Sequence, residues 1–421
     1  MLSLFKVDSF LIIKSICFTI LFFTNFSIAQ EKIIKFNIKK NPTSYNYWWL
    51  EKNNFGKNPS IFDLETIFEF KKGKSNFVIN IFSKNENNKI ENIYFNESFI
   101  KYNFSKSIFL RIGRYYKDFS PYLNDQLSSG SMLISQNAQA MPKVGLVTSH
   151  TIKKNKNFSF DFGIAHSSFD KNNQYNKAPL LHEKFIYLNY SNKNQKLGLG
   201  LVHEAVWSGE TESRGRQPSS FRDFLKVFIA ADGPYIEDNP HANALGNHLG
   251  IWDFYYLKSY NEKKIKFYYQ HFFEDTSGLR FANKFDGLWG LELKNFLKNN
   301  TILVEYLDTT NQNTDPPYVS ESYYKHGNYS AGWSYKDYTL GNPFMDHSNQ
   351  EETAMIHLGL SGTIVSSNYR VLVSKRINFG DSIKYKVILS KKINPKVEAT
   401  FFIVNSESNN GGIGLSINKI L

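Results

Sequence analysis

The chain has 421 residues, with 50 Lys and Arg against 38 Asp and Glu, one Cys, and an aromatic content of 16%. Its hydrophobic fraction of 41% and its lack of long apolar runs argue against a helical membrane protein. The 37 Phe and 25 Tyr, however, are more than a soluble enzyme requires. This composition is typical of a transmembrane β-barrel.

The N-terminus has the pattern of a secretory signal peptide. Lys6 and Lys14 precede the apolar stretch 16–23, and Ser27 and Ala29 supply the small residues that a signal peptidase reads. We expect cleavage after Ala29, with 1–29 as signal peptide; the alternative is a short membrane anchor. Cleavage would remove Cys17, the only cysteine, and with it cysteine catalysis and cysteine-based metal binding.

The net charge of +12 has two interpretations. A basic protein can bind an anionic partner such as nucleic acid, lipid headgroups or acidic polysaccharide. The abundance of Lys, Asn and Ile gives the simpler explanation of a drift in the whole composition. Because no Lys and Arg cluster is interleaved with aromatic residues, we expect no nucleic-acid partner.

Short segments of alternating apolar and polar residues dominate the chain. The pattern is clear in 158–165, 265–274, 356–361 and 383–390. Successive side chains of a strand point to opposite faces, so each segment has one apolar and one polar face. A soluble sandwich would show the same alternation. The secretion signal, the segment length of roughly ten residues and the number of segments favour an outer-membrane barrel.

The links between the predicted strands alternate between short and long. The strands lie near 61–71, 75–84, 91–103, 107–115, 144–152, 157–167, 184–191, 196–207, 249–259, 264–273, 286–296, 301–309, 353–362, 368–377, 383–392, 396–405 and 412–420. The longest links are 116–143, 208–248 and 310–352. Bacterial barrels have short periplasmic turns and longer extracellular loops, so we expect these three links to be extracellular.

Parity requires one strand more. The segment 61–71 ends in a short turn and must run towards the periplasm, so an upward strand has to precede it, and we assign that strand to 45–53. The predicted fold is therefore all-β: a transmembrane antiparallel β-barrel of about 18 strands, an even number as bacterial barrels require. It forms a single domain over 30–421, with strands from about 45 to 420.

Extracellular loops are expected to occlude the lumen. Within 208–248, the segment 219–231 reads as a short amphipathic helix, capped by Ser219 or Ser220 and ended by Gly233. Its apolar stripe must be buried, most simply by folding into or over the lumen. The Gly- and Asn-rich segment 129–142 supports the same expectation.

A set of Gly-, Asn-, His- and aromatic-rich motifs runs through the long links and the strands beside them. These are SGS at 129–131, ISQNA at 134–138, GRQP at 215–218, LGNHLG at 245–250, WD at 252–253, YYQHFFED at 268–275, SGLR at 277–280, DGLWG at 286–290, YYKHG at 323–327, SAGW at 330–333 and GNP at 341–343. With these motifs the chain resembles the Wzi-like family of capsule-assembly outer-membrane proteins, in its Bacteroidetes-type form.

The resemblance covers most of 30–421 and is densest between 203 and 345. It implies an 18-stranded barrel that attaches or organises capsular or exopolysaccharide at the surface of a Gram-negative cell. The capsule export machinery is a further partner that the family implies. This chain shows no counterpart of the periplasmic helical bundle of the enterobacterial members, which weakens that last implication.

The polar and aromatic residues between 203 and 345 suit a polysaccharide. Sugar C–H faces lie on Trp and Tyr rings, and Arg grips acidic groups bidentately. The candidate polysaccharide contacts are Arg216, Arg222, His248, Trp252, Gln270, Arg280, Tyr324, His326 and Trp333. The alternative for the charged residues is that they hold loops inside the barrel and plug it.

Two other functions compete with polysaccharide binding. A hydrolase could use His248 with Asp253, or His271 with Glu274 and Asp275, for general-base catalysis. No Gly-x-Ser-x-Gly elbow and no His-Glu-x-x-His motif is present, so we expect no catalytic residue, no metal and no cofactor. The stronger alternative is a passive or substrate-selective porin, because an 18-stranded barrel is wide enough for an aqueous pore unless loops fill it.

Overall fold

The computed structural model describes residues 31–41, 55–56, 62–86, 89–171, 174–211, 214–233, 244–274, 276–297, 299–312, 322–348, 351–405 and 411–421. Within these residues, nineteen strand segments pair into one sheet, and two of them are halves of one strand that is interrupted at Asn96 and Glu97. The result is an antiparallel barrel of eighteen strands, as the sequence predicted.

The strands follow one another around the barrel in chain order. They are β1 (Glu31–Lys40), β2 (Phe62–Lys72), β3 (Ser75–Glu86), β4 (Lys89–Phe95 with Ser98–Asn103), β5 (Ile108–Arg114), β6 (Pro142–Thr151), β7 (Phe158–Ser168), β8 (Leu180–Ser191), β9 (Gln195–Trp207), β10 (Asn247–Tyr260), β11 (Lys263–Phe273), β12 (Gly287–Lys294), β13 (Thr301–Asp308), β14 (Ala354–Ile364), β15 (Ser367–Arg376), β16 (Lys384–Asn394), β17 (Val397–Asn405) and β18 (Gly411–Ile420).

The first strand corrects the sequence prediction. β1 lies at Glu31–Lys40 and closes the barrel, since Ile38 is aligned with Leu64 of β2 and with Ile417 of β18. The prediction placed this strand at 45–53, a segment that lies outside the described residues, as do 1–30 with the expected signal peptide. The count was right and the position was wrong. The missed signal is the alternation of Ile and Phe at 34, 36 and 38 with Lys and Asn at 35, 37 and 39.

A continuous apolar belt covers the outward face of the barrel. On most of the described strands, apolar residues at alternate positions are exposed. Examples with 37–50% exposure are Val144, Leu146, Ile186, Leu188, Leu197, Leu199, Val304, Tyr306, Ile356 and Leu358. A protein in water does not expose a belt of this extent, whereas a barrel in a bilayer turns such residues to lipid. Among the described residues, no helix is both long and apolar enough to cross a membrane.

Two extracellular loops fill the lumen. The sequence predicted this for 129–142 of the first loop, but it named 219–231 and not the second loop as the other occluding segment. The first is 115–141, between β5 and β6, which we call the plug. The second is 322–346, from the link between β13 and β14, which we call the cap. The plug buries Phe119, Leu127, Met132 and Leu133, and the cap buries Trp333, each at no more than 1% exposure. The hydrophobic core of the molecule is therefore inside the barrel, between these loops and the wall.

The predicted helix exists but lies on the other side of the wall. α1 (Phe221–Phe228) is capped by Ser220, whose hydroxyl accepts a hydrogen bond from Asp223 N at 3.2 Å. Phe224 of α1 packs on His182 of β8 and Trp207 of β9, with ring centroids 5.3 and 5.4 Å apart. These two wall residues point outward, because they alternate with lumen-facing neighbours. The expectation that α1 folds into or over the lumen is wrong.

The link between β11 and β12 also folds outward. It contains a single helical turn, α2 (Thr276–Leu279). The carbonyl of Leu279 accepts a hydrogen bond from the indole of Trp252 at 3.0 Å, and Phe281 stacks on the His271 ring at 4.0 Å. The extracellular loops therefore divide into two groups. The plug and the cap fill the lumen, while α1 and the α2 segment cover the outer rim.

Candidate functional site

Buried polar side chains of the wall hold the plug in place. Asp253 of β10 is fully buried and accepts hydrogen bonds from the hydroxyls of Ser120 and Tyr122 of the plug and from Tyr187 of β8. Opposite it on β11, the Gln270 side chain accepts from Met132 N at 3.0 Å and donates to Ser120 Oγ at 3.1 Å. These lumen-facing groups satisfy plug atoms that no water reaches.

A second group of anchors lies on β13 and β14. The carboxylate of Glu305 accepts from Ser128 Oγ at 2.6 Å and from Ser129 N at 2.7 Å. His357 Nε2 lies 2.6 Å from the carbonyl oxygen of Leu127, which can only accept, so Nε2 carries the proton. Its Nδ1 then accepts from Ser374 Oγ at 2.7 Å. The plug is thus bound from two sides by charged and polar wall residues.

Charge compensation completes the anchoring at the outer end of the plug. Lys143 of β6 is buried and forms an ion pair with Glu183 of β8 at 2.7 Å. The same ammonium donates to the carbonyl of Tyr116 at 2.6 Å. Charge-assisted hydrogen bonds of this kind are the strong ones, and losing one partner leaves a buried charge. Further from the outer rim, Arg111 of β5 forms an ion pair with Asp118 of the plug at 3.0 Å.

Side chains of the cap bind the plug by donating hydrogen bonds to its backbone carbonyl groups. The indole of Trp333 donates to the carbonyl of Leu133 at 2.7 Å, and the hydroxyl of Tyr324 donates to the carbonyl of Met132. Asn342 Nδ2 donates to the carbonyl of Gly130 at 2.7 Å. Burial raises the pKa of the Tyr324 hydroxyl well above its usual value, so it stays a donor. The cap and the plug form one polar and aromatic unit.

The cap is also tied to the link before β12. Asp286 accepts from Asn311 N at 3.1 Å, Asn311 Nδ2 at 3.0 Å and the Tyr323 hydroxyl at 3.0 Å. Burial raises the pKa of the Asp286 carboxyl to about 7, against the opposing effect of these hydrogen bonds. Glu274 accepts from Tyr324 N at 2.6 Å. The outward α2 segment and the inward cap are therefore mechanically connected.

Three of the nine sequence-derived candidates lie inside this unit. Gln270, Tyr324 and Trp333 are at 0% exposure. The polar atoms of each side chain form hydrogen bonds with the plug. A polymer arriving from outside cannot reach them unless the cap opens. Their geometry favours the alternative of bracing the plug, which the sequence had left open for the charged residues only.

Two histidine candidates lie near the outer rim. His248 of β10 points outward, donates from Nε2 to the carbonyl of Leu245 at 3.0 Å, and pairs through Nδ1 with His203 Nε2 at 2.9 Å. His326 lies on the cap beside Tyr329, with ring centroids 5.5 Å apart. Burial lowers the pKa of His326 to about 4, with a smaller contribution from His248. Both rings are neutral near pH 7.

Trp252 does not belong to the lumen at all. It is aligned with His271 across β10 and β11, on the face opposite to Asp253 and Gln270. Its ring stacks on Phe254 and Phe281, at 6.5 and 6.4 Å. It belongs to the outward aromatic girdle, because neighbouring residues of a strand face opposite sides.

The three arginine candidates, Arg216, Arg222 and Arg280, are exposed. Arg216 lies on a two-residue ribbon that pairs Glu210–Thr211 with Gly215–Arg216. Arg222 lies in the first turn of α1, and Arg280 directly follows α2. Of the nine candidates, these are the ones that a polymer outside the cell could reach without any rearrangement.

Sequence reasoning missed the wall residues that hold the plug. Lys143, Glu183, Glu305 and His357 are all at 3% exposure or less, and none was singled out. The available signal was a charged residue at the lumen-facing register of a strand with apolar neighbours. Such a residue needs a partner in a filled lumen.

The residues proposed for a hydrolase do not form a general-base pair. His248 and Asp253 lie on opposite faces of β10, since one points outward and the other contacts the plug. His271 Nε2 lies 3.0 Å from the carbonyl of Gly278, whereas Glu274 binds the cap. No group of three or more His, Cys, Asp or Glu within the described ranges has a metal-binding arrangement.

One family model matches most of the chain. The family model described as capsule assembly protein Wzi matches residues 52–372. Among solved structures, the chain is similar to Wzi of Escherichia coli, described as an outer membrane protein involved in group 1 capsule assembly and a carbohydrate-binding β-barrel. The TM-score is 0.61 and the identity 15%, covering 94% of this chain and 86% of that one.

Two porin structures are also similar. Both are mutants of the Rhodopseudomonas blastica porin, with TM-scores of 0.42 and 0.40, 9% identity, and coverage of 93% of this chain and 98% of theirs. The search of curated proteins found no match.

Proposed function

This chain belongs to the family of the capsule assembly protein Wzi, and we propose that it is an outer-membrane barrel that binds capsular or exopolysaccharide and retains it at the cell surface without cleaving it. We further propose that it reaches the outer membrane of a Gram-negative cell through a signal peptide cleaved after Ala29. Contact with the capsule export machinery is part of the same proposal, on the ground of the family alone.

The observation that supports this function over a porin is the filled lumen. The plug is held by Asp253, Gln270, Glu305 and Lys143, and the cap closes over it. Buried charged contacts of this kind are costly to break on one side only. A long polymer would therefore meet a closed outer surface, and binding rather than passage is the expected result.

The polymer-binding surface that we propose lies on the outer side of the cap. Here 174–179 and 208–217 are joined by backbone hydrogen bonds between Lys177 and Glu210 at 2.9 and 3.3 Å. The hydroxyl of Tyr329 on the cap donates to the carbonyl of Ser208 at 3.3 Å. These contacts bring the exposed ends of three loops into one surface.

This surface carries cations that acidic sugars could bind. Lys177, Arg214 and Arg216 are exposed, and none of them takes part in the salt bridges found among the described residues. Arg binds carboxylates through two parallel hydrogen bonds, which suits uronic acid or pyruvylated sugars. We propose Arg216 and Lys177 as the principal contacts.

The test is binding of purified protein to isolated capsular polysaccharide. The Lys177→Ala/Arg216→Ala double variant should bind roughly tenfold more weakly, if each exposed contact contributes about 0.7 kcal/mol. Lys154→Ala removes an equally exposed cation from the short turn between β6 and β7 and serves as the matched control. Unchanged binding by the double variant, with normal folding, would place the site elsewhere.

The porin and hydrolase alternatives have their own measurements. Wild-type protein in planar bilayers should show no steady conductance, whereas an open porin would conduct. Polysaccharide incubated with the protein should keep its chain length on gel filtration, whereas a hydrolase would shorten it.

A further inference from the structure

Helix α1 presents two apolar stripes to different surroundings. Phe224 and Val227 pack against the barrel wall, where Val227 is fully buried. Phe221, Leu225 and Ile229 form a second stripe at spacings of four residues and are 75%, 49% and 72% exposed. Residues four apart lie on one face of a helix, so these three form a continuous apolar surface that nothing in the described protein covers.

The exposed stripe of α1 lies next to the apolar belt of the barrel. Along β8 the outward residues, from the outer end downwards, are His182, Lys184, Ile186 and Leu188. Phe228 of α1 lies on His182, with ring centroids 5.2 Å apart, and its carbonyl accepts a hydrogen bond from Lys184. The next two residues, at 48% and 38% exposure, already belong to the apolar belt. The C-terminal end of α1 therefore adjoins the belt directly.

The charges on α1 match a membrane surface. Arg222 is exposed and lies one turn before Lys226, and both flank the exposed stripe. The carboxylate of Asp223 accepts from Ser220 N at 2.8 Å at the helix N-terminus, and Lys226 Nζ donates to the carbonyl of Asp232 at 3.4 Å. With two cations against one carboxylate, α1 keeps a net positive charge. A short helix with an apolar face and Lys or Arg beside it is the pattern of segments that lie in the interface of anionic membranes.

From this placement we infer that α1 is an anchor in the outer leaflet of the membrane. Phe221, Leu225 and Ile229 enter the boundary between headgroups and acyl chains, continuing the apolar belt upward. Arg222 and Lys226 bind phosphate groups of the lipid headgroups. The occupant of this surface is lipid, and the inference does not depend on polysaccharide binding.

The experiment measures the depth of α1 with an environment-sensitive fluorophore. Cys17→Ser removes the only native cysteine, and Leu225→Cys or Ile229→Cys then carries the label on the exposed stripe. Ser330→Cys labels an exposed position of the cap and serves as the control. The full-length proteins are placed in nanodiscs with and without lipids that carry a nitroxide in the acyl chain. Heat modifiability confirms that each barrel is folded.

The labels on α1 should emit at shorter wavelength and be quenched at least about twofold more than the label at 330, since interfacial helices sink about 5–10 Å into the boundary. Labels at 225 and 229 that behave like the one at 330 would leave the stripe to a protein partner and overturn the inference. The blue shift should increase when phosphorylated lipid is added, and Arg222→Gln/Lys226→Gln should abolish the increase. An increase that survives this substitution would overturn the assignment of the two cations.

Discussion

The contact between Trp333 and Leu133 is expected to act as the latch that keeps the cap on the plug. Trp333 is fully buried, and its indole hydrogen bond to the Leu133 carbonyl measures 2.7 Å. The contact spans two loops that approach each other only inside the barrel. Trp333→Ala should therefore loosen the cap while leaving the strand pairing of the wall intact.

The free energy that Trp333→Ala should cost follows from the burial of the side chain. Replacing a fully buried Trp by Ala costs about 3–5 kcal/mol through lost burial and the remaining cavity. The carbonyl of Leu133 loses its partner as well, which costs about 1–3 kcal/mol if water does not replace it. A loss of about 4 kcal/mol raises the population of the open cap by a factor of roughly a thousand. Trp333→Phe keeps most of the packing but also removes the indole N–H, so it should lose about 2 kcal/mol, less than Trp333→Ala.

Single-channel recording in planar bilayers is the assay. Wild type and Trp333→Phe should stay closed, and Trp333→Ala should show intermittent openings. Trp252→Ala is the matched control, because it removes a Trp of the same size from the outward face, where the indole binds Leu279 instead of the plug. Hydrogen exchange over 322–346 reports the same opening without a membrane voltage. If Trp333→Ala remains closed and as protected as wild type, the latch assignment is wrong.

The other predictions concern the plug, the pH response and the outer surface. Glu305→Ala leaves Ser128 and Ser129 without an acceptor and should speed hydrogen exchange of the plug by roughly tenfold or more, whereas Glu210→Ala, at a half-buried position outside the lumen, should not. Burial holds the pKa of His326 near 4 in the folded protein against 6.5 in an open cap, so the folded state binds fewer protons. The resulting stability is present above pH 6.5 and is lost as the pH falls to 4, by about 3 kcal/mol. Relative to His326→Gln, exchange of the cap in wild type should therefore accelerate over this range. The comparison is needed because Asp286, with a pKa of about 7 in the folded protein, adds a dependence of the opposite sign. The Lys177→Ala/Arg216→Ala variant should shed more capsule into the medium than wild type while its barrel remains heat-modifiable, and equal shedding would argue against these two contacts.

Periodicity predicted the wall because it is a local property. Each predicted segment from residue 61 onward forms a barrel strand, with ends that differ by a few residues. The first strand was misplaced at the aromatic-rich segment 45–53, although Glu31–Lys40 carries the alternation. The closure of the barrel identifies the first strand, since that strand must pair with both β2 and β18.

The site was predicted less well, and the reason lies in the faces of the strands. Trp252 and Asp253 are neighbours in the chain, yet one joins the outer girdle and the other binds the plug. The register of alternation contains this information. Grouping by chemical type alone assigned Trp252 and Gln270 to one site, although they lie on opposite faces of the wall.

The sequence by itself determined the all-β class, the strand count, the long and short links, the capping of α1 and the family. Only the tertiary structure decided which loops fill the lumen and which cover the rim. The lumen has a limited volume, and the plug occupies it with a core of Phe119, Leu127, Met132 and Leu133. An amphipathic helix that meets a filled lumen has to bury its stripe elsewhere. α1 does so on the outward face of the wall, where Phe224 packs on His182 and Trp207. Which segment occupies the lumen depends on competition between segments that are distant in the chain, so the sequence of one segment cannot predict it.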